Sequence, residues 1–266
     1  MKKLPKFRSS RKGVALFAVL ISFTTLPSLT IAGPLQEARV TQIMKDVKLL
    51  PSKAAPRPAS VNDGVREGTA VRTGVDSRSE LTFTDQTITR LGASTIWSFD
   101  GGTRKMDLGG GAMLLYVPKG AGGAQVKTAA VTAAVTGTTI LFEYHKNPGY
   151  KLIVLEGGVK LFLTGNPGQF IIVNAGEMVI GLGDGLGKKV VVDLEGVLKS
   201  KLIDGFPPLP SLSLILAAIK NQGSDKSQGT LVDGNNPIDH SGTLDQNAAA
   251  QPSQHQPPTE TIPPSD

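Results

Sequence analysis

Three histidines, no cysteine and a thin scatter of carboxylates are all that this 266-residue chain offers for catalysis. His145 is followed by Lys146-Asn147-Pro148-Gly149, a turn by composition, while His240 and His255 fall among Gln, Ser and Pro. None has a second histidine at metal-ligand spacing, and no Ser/His/Asp set or paired-glutamate arrangement suggests itself. His145 is therefore read as a solvated turn residue, with a ligand role as the alternative. The absence of Cys removes thiol catalysis, iron–sulfur clusters and thiolate zinc sites. The catalytic, cofactor-binding and metal sets are expected to be empty, and the protein is expected not to be an enzyme.

Four other groups invite a binding role. Gly109-Gly110-Gly111 and Gly120-Ala121-Gly122-Gly123 suggest phosphate loops, but that motif needs a helix after it and strands follow both, so structural turns are expected. Gly181-Leu182-Gly183-Asp184-Gly185-Leu186-Gly187 is similar to a calcium-binding repeat, yet carries one carboxylate where several oxygens are needed. Thr128, Thr132, Thr136, Thr138 and Thr139 read first as sheet edges, with an exposed hydroxyl row for a glycan or peptide as the alternative. Arg66, Arg72, Arg78, Arg90 and Arg104 read first as solvated surface, with carboxylate or phosphate recognition behind it.

The elements that must position these residues are strands. Leu81 and Phe83 alternate with Thr82 and Thr84, and Thr95-Ile96-Trp97-Ser98-Phe99 continues the pattern before the turn Asp100-Gly101-Gly102. Ala112 to Val117 is apolar on both faces and belongs in a sheet interior. Lys151–Leu155 and Val159–Leu163, separated by Glu156-Gly157-Gly158, read as a hairpin, and Asn174-Ala175-Gly176-Glu177 as a second tight turn. Val40, Ile43, Val47 and Leu49 give one weak strand further upstream. Of the 31 glycines, 23 lie between positions 64 and 187, spaced between strands. Echoes such as Leu108-Gly109-Gly110-Gly111-Ala112 and Leu155-Glu156-Gly157-Gly158-Val159 recur without a fixed period. The expected fold is all-β: an irregular β-roll or solenoid-like stack of short antiparallel strands, with a plain Greek-key sandwich behind it.

The flanks differ. Six basic residues (Lys2, Lys3, Lys6, Arg8, Arg11, Lys12) precede an apolar run from Gly13 to Ala32 that ends Thr30-Ile31-Ala32, the three parts of a signal peptide. The run also has the length of an anchor, although Pro27, Ser28 and Thr30 interrupt it. Cleavage near Ala32 would remove all of the chain's formal +6, so its basicity reports export and gives no hint of nucleic acid. Residues 33–220 then carry 21 Lys/Arg against 16 Asp/Glu, and residues 221–266 one Lys against six acids. Past Phe206-Pro207-Pro208-Leu209-Pro210, the run Ser211 to Lys220 predicts a short helix packed on the barrel end. Residues 221–266 lack aromatic residues and are expected to be disordered. The divisions expected are a signal peptide (1–32), a lead-in strand and linker (33–60), a β domain (61–195), a Pro-rich segment with a short apolar helix (196–220), and a low-complexity tail (221–266).

The order of several short motifs resembles the FecR-type periplasmic domain, named for regulators of ferric-citrate uptake. The matching stretches are Gly68 to Gly74, Ser79 to Asp85 with Arg90-Leu91-Gly92, Leu108 to Gly111, Val135-Thr136-Gly137-Thr138-Thr139, Leu155 to Val159, and Ala175-Gly176-Glu177. In those regulators the domain lies outside the inner membrane and is joined by one transmembrane helix to a part that controls a sigma factor. Only about a dozen residues precede the apolar run here, so that part is not expected. The resemblance implies an exported periplasmic or secreted β domain for binding or sensing, with an envelope protein or cell-wall glycan as partner. The membrane enters only if the apolar segment is retained, which would make the chain an anchored signalling component related to the regulators.

Overall fold

The computed structural model describes residues 35–147, 149–182, 185–225 and 231–235. The expected signal segment, His240, His255 and most of the expected disordered tail lie outside them.

Polypeptide rich in short apolar runs satisfies its backbone by ladder pairing, and among the described residues seventeen strands form one hydrogen-bonded network. The chain enters on β1 (Glu37–Met44), crosses to β2 (Val47–Pro51) and adds the short β3 (Arg57–Pro58). It returns on β4 (Gly64–Arg66), crosses to β5 (Thr69–Thr73), and crosses back to β6 (Arg78–Phe83) and β7 (Ile88–Leu91). Then come β8 (Ile96–Asp100), the long β9 (Lys105–Tyr116), β10 (Ala124–Lys127) and β11 (Val131–Val135). β12 (Thr139–Tyr144), β13 (Gly149–Glu156), β14 (Gly158–Leu163), β15 (Asn166–Asn174), β16 (Glu177–Leu182) and β17 (Lys188–Val191) complete the set.

The registers resolve this network into two ladders. The first runs β4-β1-β6-β7-β9-β12-β13-β16-β17 and the second β3-β2-β5-β8-β9-β10-β11-β14-β15. All pairs are antiparallel except β9 with β10. The expected all-β stack is thus observed, with the chain stepping from sheet to sheet in short coils.

Strand β9 belongs to both ladders. Its first half pairs with β8 and β10 and its second half with β7 and β12, so the switch falls at Gly109–Gly111. Gly111 adopts φ +94, and a Cβ there would stand 2.6 Å from the Thr95 Cα. The triplet expected to be a turn is instead the bend inside a strand, a place where a side chain does not fit.

The hairpin expected across Glu156-Gly157-Gly158 is not formed. β13 pairs with β12 and β16 in the first sheet, while β14 pairs with β11 and β15 in the second. The Glu-Gly-Gly step is a corner between sheets, as are Thr136-Gly137-Thr138 and Asn174-Ala175-Gly176. Corners stack on one another: Val117 and Thr138 exchange backbone bonds, and the Ala175 N–H donates to the Gly157 carbonyl. At Gly157, φ is +83 and a Cβ would come within 3.0 Å of the Gly137 carbonyl oxygen. Two-residue periodicity reads the same on either side of a turn and of a corner, so the alternation alone does not distinguish the two pairings. The single upstream strand likewise splits into β1 and β2, which lie in different sheets.

The main core lies between the two sheets. Phe83, Trp97 and Phe99 form its aromatic centre, with Phe83 edge-on to both neighbours at 6.3 and 5.0 Å. The Phe142–Tyr150 pair, at 6.4 Å, fills the other end.

A second core lies on the outer face of the first sheet. One row of that face reads Glu80, Arg90, Leu114, Leu141, Ile153, Met178, Val190 across successive strands. The C-terminal segment covers it as a strap: α1 (Leu194–Val197), the turns through Leu209, and α2 (Leu212–Asp225). Leu194, Val197, Leu202, Leu209 and Ile215 from the strap are buried against Leu114, Leu141, Ile153, Leu155 and Met178. Ala112–Val117 is therefore covered on both faces, as its unbroken apolarity requires. Helix α2 packs on a sheet face, not on a barrel end, and it continues to Asp225, beyond the expected start of disorder. Residues 231–235 are also ordered against the domain through a parallel bridge from Val232 to Val192.

One buried polar contact pins strap to sheet. Thr139 and Ser211, both buried, share a 2.7 Å hydrogen bond. Thr139→Val would leave the Ser211 hydroxyl unpartnered and is expected to destabilise by about 1–3 kcal/mol. Adding Ser211→Ala should recover part of that loss in urea unfolding; equal midpoints for wild type and the single variant would contradict the assignment.

Candidate functional site

The polar side chains gather where the strap meets the sheet. Arg90 on β7 and Glu80 on β6 are directly opposite, with Nε 2.8 Å from Oε2, and Arg90 is 1% exposed. The Arg90 guanidinium also donates to the carbonyls of Leu202 and Pro207 and lies 4.7 Å from the Phe206 ring centroid. Burial lowers the Arg90 pKa from its ordinary value, and the Glu80 carboxylate opposes that shift. Arg78, on the same strand as Glu80, donates through Nη1 to the Lys201 carbonyl at 2.8 Å. These two arginines work as a clamp on the strap.

Two residues along the face sits a second group. Glu143 on β12 accepts from Lys151 on β13 at 2.8 Å and from His145 Nε2 at 2.9 Å. Beside it, a cavity of about 100 Å³ opens between the sheet and the strap, lined by Leu141, Glu143, Lys151, Ser200, Leu202 and Asn235 among others. Burial works to raise the Glu143 carboxyl, but the His145 hydrogen bond and the Lys151 charge outweigh it and hold it below its ordinary value.

A carboxyl depressed in the folded state stabilises fully above its unfolded value, here 4.5, and loses that contribution as pH falls through the lower folded value. Urea midpoints taken from about pH 6 down to about pH 3 should therefore drop more steeply for the wild type than for Glu143→Gln. Parallel profiles would contradict this.

The other sequence candidates disperse. Arg104 is buried, donates to the Gly123 carbonyl and pairs with Asp85 at 2.7 Å. Arg66 pairs with Glu37 at the rim, and Arg72 is exposed on the opposite sheet. The five arginines thus form no common recognition surface. The hydroxyl row is not exposed either: Thr128, Thr132, Thr138 and Thr139 are buried, and only Thr136 faces solvent. Their hydroxyls serve neighbouring loops, as Thr138 does in donating to the Thr136 and Gly158 carbonyls. Tyr150 takes the space beside Gly181, and its hydroxyl accepts from the Gly187 N–H at 2.9 Å. Gly183 and Asp184 lie outside the described residues.

His145 is at a turn, as expected, yet it is bonded to Glu143 and not simply solvated. Among the described residues, no group of three or more His, Asp or Glu side chains is placed to hold a metal ion. The Arg90–Glu80 pair was not foreseen. Its only sequence signal is a charged residue in each of two neighbouring apolar strands.

Residues 69–160 match the family model described as "FecR protein", a span running from β5 into β14. A crystal structure of a "putative anti-sigma factor" from Parabacteroides distasonis ATCC 8503 at 1.65 Å is similar at 17% identity and a TM-score of 0.41, covering 57% of this chain and 74% of that one. A second structure with the same description, at 2.50 Å, has the same identity and TM-score, over 49% of this chain and 64% of the other. The chain thus spans less than two thirds of that second protein's length. No curated protein matches the chain. Over residues 69–160, about a third of its length, the chain is therefore similar to the FecR family.

Proposed function

We propose that the chain is an exported, non-catalytic module of FecR type that binds or senses in the cell envelope, through an envelope protein or a cell-wall glycan. The observation that carries this reading is where the matched motifs fall. Gly68, Gly111, Gly137 and Gly157 adopt positive φ at the corners and the strand bend. Thr138 and Thr139 spend their hydroxyls on neighbouring segments. The motifs are therefore used to build the stack, and a scaffold whose marked residues are structural is suited to presenting surfaces. Export rests on the basic, apolar and small-residue succession of residues 1–32.

The spanning length of Gly13–Ala32 favours one second reading, an anchored signalling component related to FecR-type sigma-factor regulators. Cell fractionation with N-terminal sequencing of a C-terminally tagged chain separates the two. A soluble periplasmic or secreted product beginning near Gly33 supports the module. An intact Met1 in the membrane fraction supports the anchored form, and an intact chain in the cytosol contradicts both.

A further inference from the structure

A second cavity, of about 300 Å³, lies at one end of the first sheet between the corner stack and the strap. Its walls include Lys45 and Asp76 from the β1–β2 and β5–β6 corners, Arg78 at the start of β6, Gly92 after β7, and Lys201 and Leu202 from the strap. Three basic residues and one acidic residue thus line it. Asp76 lies 3.6 Å from the Lys45 ammonium, and both side chains are about two-thirds exposed, so the pair neutralises little in water.

We propose that this cavity binds a small oxyanion, a carboxylate or a phosphate, bridging Lys45, Arg78 and Lys201. Arg78 is already oriented: Nη1 donates to the Lys201 and Asp204 carbonyls, and the guanidinium carbon lies 5.9 Å from the Phe206 ring. Only Nη1 makes these bonds, and the planar fork of arginine suits a two-oxygen acceptor.

The backbone points to the same place. Lys45, Asp76 and Ser94 have φ of 63, 53 and 50, three of the six non-glycine residues with positive φ among the described residues. All three belong to corners tied together here, since Gly74 donates to the Asp46 carbonyl and Ser94 to the Gly74 carbonyl. Side-chain-bearing residues in this region are strained and concentrate where a fold holds a site in shape.

The site also has a consequence for the strap. Lys201 belongs to the strap while Lys45 and Arg78 belong to the strands and corner opposite, so basic residues line the cavity from both sides of the junction. An anion bridging them binds better to the docked strap than to a released one. Ligand binding and strap docking are then linked, each strengthening the other. This reading concerns a small ligand and is independent of where the protein resides.

The purified full chain is titrated with inorganic phosphate and with succinate at constant ionic strength, with sodium chloride as the control. Melting temperature and calorimetric heat are recorded, and hydrogen exchange is followed across residues 194–209. We expect saturable stabilisation by at least one probe, with slower exchange in the strap. Loss of one charge-assisted contact should weaken binding roughly tenfold in Lys45→Gln and in Lys201→Gln. Both lysines are exposed, so these variants should fold. Arg72→Gln, on the opposite sheet, should bind as the wild type does. Response to phosphate alone assigns a phosphate site, and response to succinate alone a carboxylate site. Equal responses from all three variants and the wild type, a response matched by chloride, or no response to either probe would overturn the proposal.

Discussion

Arg90→Ala is expected to destabilise the protein by about 3–5 kcal/mol, more than any surface charge change should. The side chain is 1% exposed and its partner Glu80 is 6% exposed, so truncation leaves a carboxylate in a dry site. Thr41 donates to Glu80 Oε1 at 2.8 Å, but one hydroxyl donor to a carboxylate, at about 1.5–3 kcal/mol, is too small to offset an orphaned buried charge. The change also removes the donors to Leu202 and Pro207 and the cation over Phe206, so the strap loosens with it. Removing both charges in Glu80→Gln/Arg90→Met keeps volume and leaves no unpaired ion, and should restore most of the lost stability. Urea unfolding measures the energies, and protease nicking between 198 and 210 reports the strap. A shift below about 1 kcal/mol for Arg90→Ala would show the pair to be incidental.

Gly111→Val is expected to be as damaging, by about 2–5 kcal/mol, through strain at φ +94 together with overlap on Thr95. Thr95 cannot simply retreat, since its hydroxyl donates to the Ala112 carbonyl and accepts from the Ala112 N–H. The adjacent glycine supplies the control. Gly110 has no positive φ, and an added Cβ there meets nothing within 4 Å, so Gly110→Ala should change stability by less than about 1 kcal/mol. Equal effects at the two positions would mean that the strand does not switch sheets at Gly111.

Strand existence was legible because apolar alternation and β-branched residues act locally. Leu81 to Phe83, Ile96 to Phe99 and Ala112 to Tyr116 are strands as read. Which strand pairs with which was not, because a glycine step that folds a hairpin and one that crosses between sheets carry the same residues; Glu156-Gly157-Gly158 is the instance. The strap was half visible. Its helix was legible from Ser211 to Lys220, but the sheet face it covers shows only as the apolar run Leu152–Leu155 within β13, every residue of which is buried. The threonine row left a structural and an exposed reading both open, because a hydroxyl that closes a corner and one that faces solvent look alike in sequence. The Glu143–His145–Lys151 group was invisible beyond its histidine, since cross-strand neighbours eight residues apart emerge only once the β12–β13 register is known.

The strap is an integral layer of the β domain. The chain contains no cysteine, so an introduced pair reports without background. Thr139→Cys and Ser211→Cys replace two buried hydroxyls whose oxygens stand 2.7 Å apart, one on β12 and one at the start of α2. With the strap docked, air oxidation of the folded double variant should close one internal disulfide in nearly all molecules, visible in the intact mass and as loss of alkylation. Two freely alkylated thiols in a folded protein would contradict the docked strap.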